Sequence, residues 1–89
     1  MRIKLTQGRY AIVDDEDYKY LSKFKWYYVG NNRMNYAVRR KKGHNIFMHR
    51  LILEKQGIKL TKLETDHINH NGLDNRRENL RAVTCSQNQ

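Results

Sequence analysis

The sequence holds one cysteine, Cys85. An internal disulfide framework is therefore excluded, as is any zinc site built from paired cysteines, and the core must hold without a staple. A reducing compartment fits. Long apolar runs are also missing: the first twenty residues carry neither an apolar stretch nor a cleavable signal pattern, and no later segment approaches the length needed to span a bilayer. A cytoplasmic protein with no membrane partner is expected. Internal repeats, linkers and low-complexity segments are absent as well. The 89 residues leave room for one domain with one modest core, and nothing in the sequence asks for a partner copy, so a monomer is expected.

Acids are scarce and unevenly placed. The formal charge is +9, and four of the nine acids sit together in "DDED", residues 14 to 17. Such a basic excess points to a polyanion, because each phosphate neutralised by Lys or Arg releases condensed counterions. A basic surface serving only solubility is the plainer explanation, but a small chain this basic repels itself without a partner. No basic amphipathic helix is visible that would dock on an acidic membrane. Nucleic acid is the expected partner.

All the aromatic residues fall between Tyr10 and Phe47, so the two halves differ in kind. The first half reads as sheet. "MRIKL" and "RYAIV" are β-rich runs separated by "TQG", which suits a hairpin. "DDEDYKYLSKF" reads as a short helix capped by Asp14 or Asp15, with acids at its positive end and Tyr18, Leu21 and Phe24 at helical spacing. A metal site in the acidic cluster is the sharper alternative to a helix start. "KWYYV" and "NYAVRR" flank "GNNRM", a second hairpin with Arg33 in its turn. "RRKKGHN" continues as a basic turn, whose Arg39, Arg40, Lys41 and Lys42 could enter a DNA groove or simply be solvated. In "FMHRLILEKQG" the period changes to helical, ending near Gly57. His49 and Arg50 lie beside its apolar stripe, and His49 alone is expected to be a hydrogen-bonded packing residue. "IKLTKLETDHIN" reads as a loop entering a strand, "NLRAVT" as a second strand, and Thr84 to Gln87 form a capping box that announces a helix.

The stretch "DHINHNGLDNRRENLR", residues 66 to 81, carries the chemistry. An EF-hand calcium loop starting at His67 has a close spacing match, but it puts His where a carboxylate is required and Arg76 and Arg77 beside the ion. Zinc held by His67 and His70 lacks a cysteine pair. Phosphodiester cleavage is the third reading, with a carboxylate holding a divalent cation while a neighbouring His takes a proton from water. Adjacent strand residues point to opposite faces, so Asp66 and His67 could share that work only if the site straddles the strand or a partner element folds over it.

"MHRLIL" followed by "DHINHNGLDNRRENLRAVTCSQNQ" resembles the phage and intron-encoded HNH endonucleases, the ββα-metal or His-Me finger nucleases, of the branch without structural zinc. "LTQGRYAIVDDEDYKYLSKFKWYY" and "YAVRR" also look like the N-terminal portion of such phage proteins, so the resemblance covers nearly the whole chain. It implies an α+β fold: a small N-terminal antiparallel sheet with a short helix, followed by a ββα-metal motif. One HNH domain over 1–89 is expected, with 1–45 as its β-rich DNA-contacting part and 46–89 as the catalytic part. The implied activity is metal-dependent nicking or cleavage of DNA in a homing or phage-genome role. The implied rival is a catalytically weak DNA-binding or inhibitory phage protein that keeps the fold.

The resemblance also implies roles. Asp66 would ligate a magnesium or manganese ion, and His67 would be the general base. Asn79 matches the middle Asn, which holds the loop and orients the catalytic His. Asn88 matches the last motif position, a second metal ligand carried on a helix that runs one residue further here. Arg50, Arg76, Arg77 and Arg81 join Arg33 and Arg39 to Lys42 as expected DNA contacts. His70 stands where a glycine is usual.

Overall fold

A computed structural model describes residues 1–30, 34–58 and 63–83. Within them the chain is α+β, built from three small antiparallel sheets and two helices. The first hairpin pairs β1 (Arg2–Lys4) with β2 (Tyr10–Ile12) around a turn at Gln7 and Gly8. Helix α1 (Asp15–Leu21) follows. The second sheet runs β3 (Tyr27–Gly30), β4 (Asn35–Lys41) and β5 (His44–Phe47) in that order, and leads directly into α2 (Met48–Lys55). The third sheet is the hairpin of β6 (Glu64–His67) and β7 (Leu80–Val83).

Two expectations of the N-terminal half are refined. It forms two separate sheets rather than one. Moreover, "RRKKGHN" is not a loose turn, because β4 continues to Lys41 and pairs with His44 in β5. Only Lys42 and Gly43 remain between the strands, at φ of +51° and +81°. Positive φ at both central positions is the twist-matched two-residue hairpin geometry, so the basic segment is a regular β-ribbon.

The first hairpin faces an unexpected neighbour. Strand β2 does not join β3–β5; it pairs with residues 73–75, between β6 and β7. Ile12 N–H donates to Leu73 O at 2.8 Å, Asn75 N–H donates to Ile12 O at 2.7 Å, and Ile12 bridges Asp74 in parallel. The acidic start of α1 joins the same contact. Asp14 holds the N-cap position but makes no side-chain cap. Its carboxylate instead accepts the Arg77 backbone N–H at 2.8 Å.

The core gathers Leu5, Ala11, Val13, Leu21, Trp26, Ala37, Met48, Ile52, Leu53, Leu73 and Leu80. Trp26 is fully buried, and its indole N–H donates to Leu21 O at 2.8 Å, which ties the end of α1 to β3. The helical stripe Met48, Ile52 and Leu53 turns inward, as its spacing requires. The capping-box helix of residues 84–87 and the turn residue Arg33 lie outside the described residues, as do Cys85 and Asn88.

Candidate active site

The loop between β6 and β7 is built by asparagine. The Asn69 side-chain oxygen accepts the Asn71 N–H at 2.9 Å, and that of Asn71 accepts the Leu73 N–H at 3.1 Å. These local bonds make turns without adding charge. Asn79 closes the loop from the far side: its Oδ1 accepts the Asn69 N–H at 3.1 Å, and its Nδ2 donates to Asn69 Oδ1 and to the Asp74 carbonyl at 2.9 and 2.8 Å. The loop then lies directly on β4. A Cβ on Gly72 would fall 1.7 Å from the Asn35 carbonyl oxygen, so only glycine permits that approach.

Strand β6 places Asp66 and His67 on opposite faces, as alternation demands. Asp66 stands opposite Arg81 in the register, and Arg81 Nε donates to its Oδ2 at 2.7 Å. His67 is buried on the inner face. Its ring meets His49 edge-on at 4.8 Å between centroids and Tyr36 at 6.2 Å. Nevertheless both residues open on one cleft of about 210 Å³, shared with Asn35, Tyr36, His70 and Gly72. The site does straddle the strand, and β4 is the element that folds over it.

His67 Nε2 lies 2.8 Å from the side-chain oxygen of Asn75, which is wholly buried. Among the described residues its other ring nitrogen, Nδ1, has no hydrogen-bond partner. Burial pushes the His67 pKa below the usual 6.5, although the Asn75 bond and the nearby Asp66 and Asp74 carboxylates pull the other way. His49 falls further, to about 3, through burial first and then the adjacent His67 and Arg50. Both rings are neutral at pH 7. His49 was expected to be hydrogen-bonded, yet its Nδ1 is buried without a partner among the described residues, and the ring is held by aromatic packing on Tyr36 and Phe47 at 5.2 and 5.3 Å.

The model of the HNH endonuclease family matches residues 47–89. Over 84 residues the chain is 34% identical to an uncharacterized HNH endonuclease of Acanthamoeba polyphaga mimivirus, an alignment that covers 92% of this chain and 43% of that protein. Both comparisons support an HNH-type endonuclease. It spans less than half the length of that viral relative. No solved structure matches.

HNH nucleases generally use a divalent metal ion, and the donors here suit a hard, hydrated one. Asp66 presents a carboxylate at the cleft; no group of three or more His, Cys, Asp or Glu forms a closed cage among the described residues, so no zinc site is seen there. Asn88, which the resemblance implies as a second ligand, lies outside them.

The positive residues divide sharply. Arg76 holds Asp74 through Nε and Nη2 at 2.7 and 2.8 Å and reaches Glu78 through Nη1 at 2.8 Å. The paired guanidinium keeps the Asp74 carboxyl below its ordinary range. Arg77 grips the buried Asp17 through Nε and Nη2 at 3.0 and 2.8 Å, which raises its own pKa. Arg81 is spent on Asp66. These three were read as phosphate contacts, and in the folded chain each guanidinium also pairs with an acid. Arg40, Lys41 and Lys42 are exposed on the ribbon, while Arg39 is half-buried over the Phe24 ring at 3.7 Å. Arg50 is half-buried in the first turn of α2.

Asn75 was missed by the sequence reading. "LDN" looked like turn chemistry, and nothing in one sequence shows which of four loop asparagines faces inward. Asn79 does hold the loop as expected, but the residue hydrogen-bonded to His67 is Asn75.

Proposed function

We propose that this domain cleaves or nicks double-stranded DNA with a divalent cation, magnesium or manganese, and that His67 is its general base. The observation that carries the reading is the shared cleft: a buried, neutral His67 with Nδ1 unengaged opens on the same small cavity as the Asp66 carboxylate. A neutral imidazole can take a proton from an attacking water near pH 7.

In this reading Asp66 and Asn88 hold the cation. When bound, the ion would stabilise negative charge developing on the scissile phosphate and leaving oxygen. Asp66 is held ready by Arg81, whose two nitrogens engage Oδ2 and leave Oδ1 without a hydrogen-bond donor among the described residues. Asn79 keeps the loop in shape. The β4–β5 ribbon, with Arg39, Arg40, Lys41 and Lys42, lies along a groove of the duplex, and Arg33 and Arg50 add phosphate contacts. Arg76 and Arg77 are left out of that set because their guanidinium groups are occupied. The protein acts as a monomer on viral or mobile-element DNA, a setting favoured by the viral source of its relative.

Conversion of supercoiled plasmid with and without magnesium tests the reading. His67→Ala should slow cleavage by roughly two to four powers of ten, the usual worth of a positioned base, with DNA binding little changed. Binding of DNA with no magnesium-dependent nicking by the unmodified protein would sink the nuclease reading.

A further inference from the structure

A histidine base works only if the correct ring nitrogen is free, and in this site one neighbour decides that. His49 and Tyr36 constrain the plane of the His67 ring through aromatic packing but make no hydrogen bond to it. Asn79, the family's middle Asn, turns its side chain to Asn69 and Asp74. Asn75 alone among the described residues hydrogen-bonds the ring, through a side-chain oxygen that can only accept. With the Asn75 oxygen facing the ring, Nε2 is the nitrogen that carries the proton.

We infer that Asn75 is a positioning residue, fixing the proton of His67 on Nε2 so that Nδ1 keeps its lone pair, and that strand β2 holds Asn75 in place. Three observations support this beyond the contact itself. Asn75 is 0% exposed, so water does not compete for either partner. Its Nδ2 is buried without a partner among the described residues. Its backbone N–H is tied to Ile12 O at 2.7 Å, and the adjoining Arg77 N–H to the Asp14 carboxylate at 2.8 Å. Residues 12 and 14 lie outside the segment that the family model matches. The N-terminal hairpin is thus part of the apparatus that aims the base.

This inference rests on His67 being the base, so the test reads the ring directly as well as the reaction. Protein labelled with ¹⁵N-histidine is studied by long-range ¹H–¹⁵N spectra at pH 8, where the ring is neutral, alongside plasmid nicking. The unmodified protein should show His67 protonated at Nε2, with that proton protected from exchange. Asn75→Leu should expose the proton to exchange and populate the Nδ1-protonated form, and should lower kcat by about 10- to 100-fold, the usual scale for a partner that orients an imidazole, with KM for DNA nearly unchanged. Asn75→Asp, which restores an acceptor, should recover the Nε2 form and more of kcat than Asn75→Leu retains. A wild-type ring protonated at Nδ1, or an Asn75→Leu ring with unchanged proton position and exchange, overturns the inference. If Asn75→Leu does not fold, Asn75→Ala takes its place, and the wild-type spectrum still decides. Should the unmodified protein cut no plasmid, the nuclease reading falls while the ring spectra continue to judge Asn75.

Discussion

Two arginine-rich stretches of this chain look alike in sequence and are put to different use. In "RRKK", residues 39 to 42, no ion pair with an acid forms among the described residues, and the side chains remain on the ribbon surface or over aromatic rings. In "DNRREN", residues 74 to 79, each arginine meets carboxylates: Arg76 those of Asp74 and Glu78, Arg77 those of Asp17 and Glu16. Even Asp14 contributes, through the Arg77 backbone. A net charge of +9 therefore overstates the cation available to a phosphate near the catalytic loop, and the acidic cluster at 14–17 is as much a clasp for that loop as a helix start.

The comparison breaks most visibly at Arg77. Asp17 is 1% exposed, so Arg77→Met would leave a buried carboxylate unpaired. Removing one partner of a buried ion pair costs on the order of 3–5 kcal/mol; because the Arg77 side chain is 30% exposed, we expect the low end, about 3 kcal/mol. For a domain of this size that is a fall in Tm of roughly 10–20 °C, measurable by thermal unfolding. An unchanged Tm would mean that the clasp is ornamental and that Arg77 is free for DNA after all.

The ribbon should behave in the opposite way. Changing Arg39, Arg40, Lys41 and Lys42 together to alanine should lower Tm less than Arg77→Met does, since surface substitutions usually stay within about 0.5 kcal/mol each. DNA affinity, in contrast, should lose about 3 to 4 units of log-log salt slope if each side chain meets one phosphate. Titrations at several salt concentrations check this, with Arg77→Lys as the companion whose slope should match the unmodified protein. A ribbon variant with the original slope would remove the ribbon as the DNA contact.

This contrast also marks how far the sequence could be read. Hairpins, helices and the β6–β7 pair were legible because alternation, turn chemistry and helical spacing are local signals, and "DHINHNGLDNRRENLR" identified the family's loop. What stayed hidden depends on contacts across long separations. Arg77 and Asp17 are 60 residues apart, and Ile12 joins Asn75 across a similar span. No periodicity encodes such pairs. The same applies to His49, which looked like a packing residue on α2 and packs against His67, and to Asn75, whose side chain turns to the His67 ring.

The smallest expected effect sharpens the comparison through pH. Arg76 is largely solvated, yet its hydrogen bonds are the main reason that the Asp74 carboxyl titrates below 3.8. A carboxyl whose folded pKa is depressed adds stability that is complete above its unfolded value and is lost as pH falls through the folded one. Arg76→Gln should therefore be slightly less stable than the unmodified protein at pH 7, with a constant gap down to about pH 4 that closes below it. Both proteins will also weaken below pH 6.5, because unfolded His49 takes a proton there that the folded ring accepts only near about 3. Taking the difference between the two unfolding curves cancels that shared loss and isolates Asp74. If the gap instead widened on acidification, Arg76 would be stabilising something other than the Asp74 carboxylate, and the loop arginines would need a different account from the one their geometry supports.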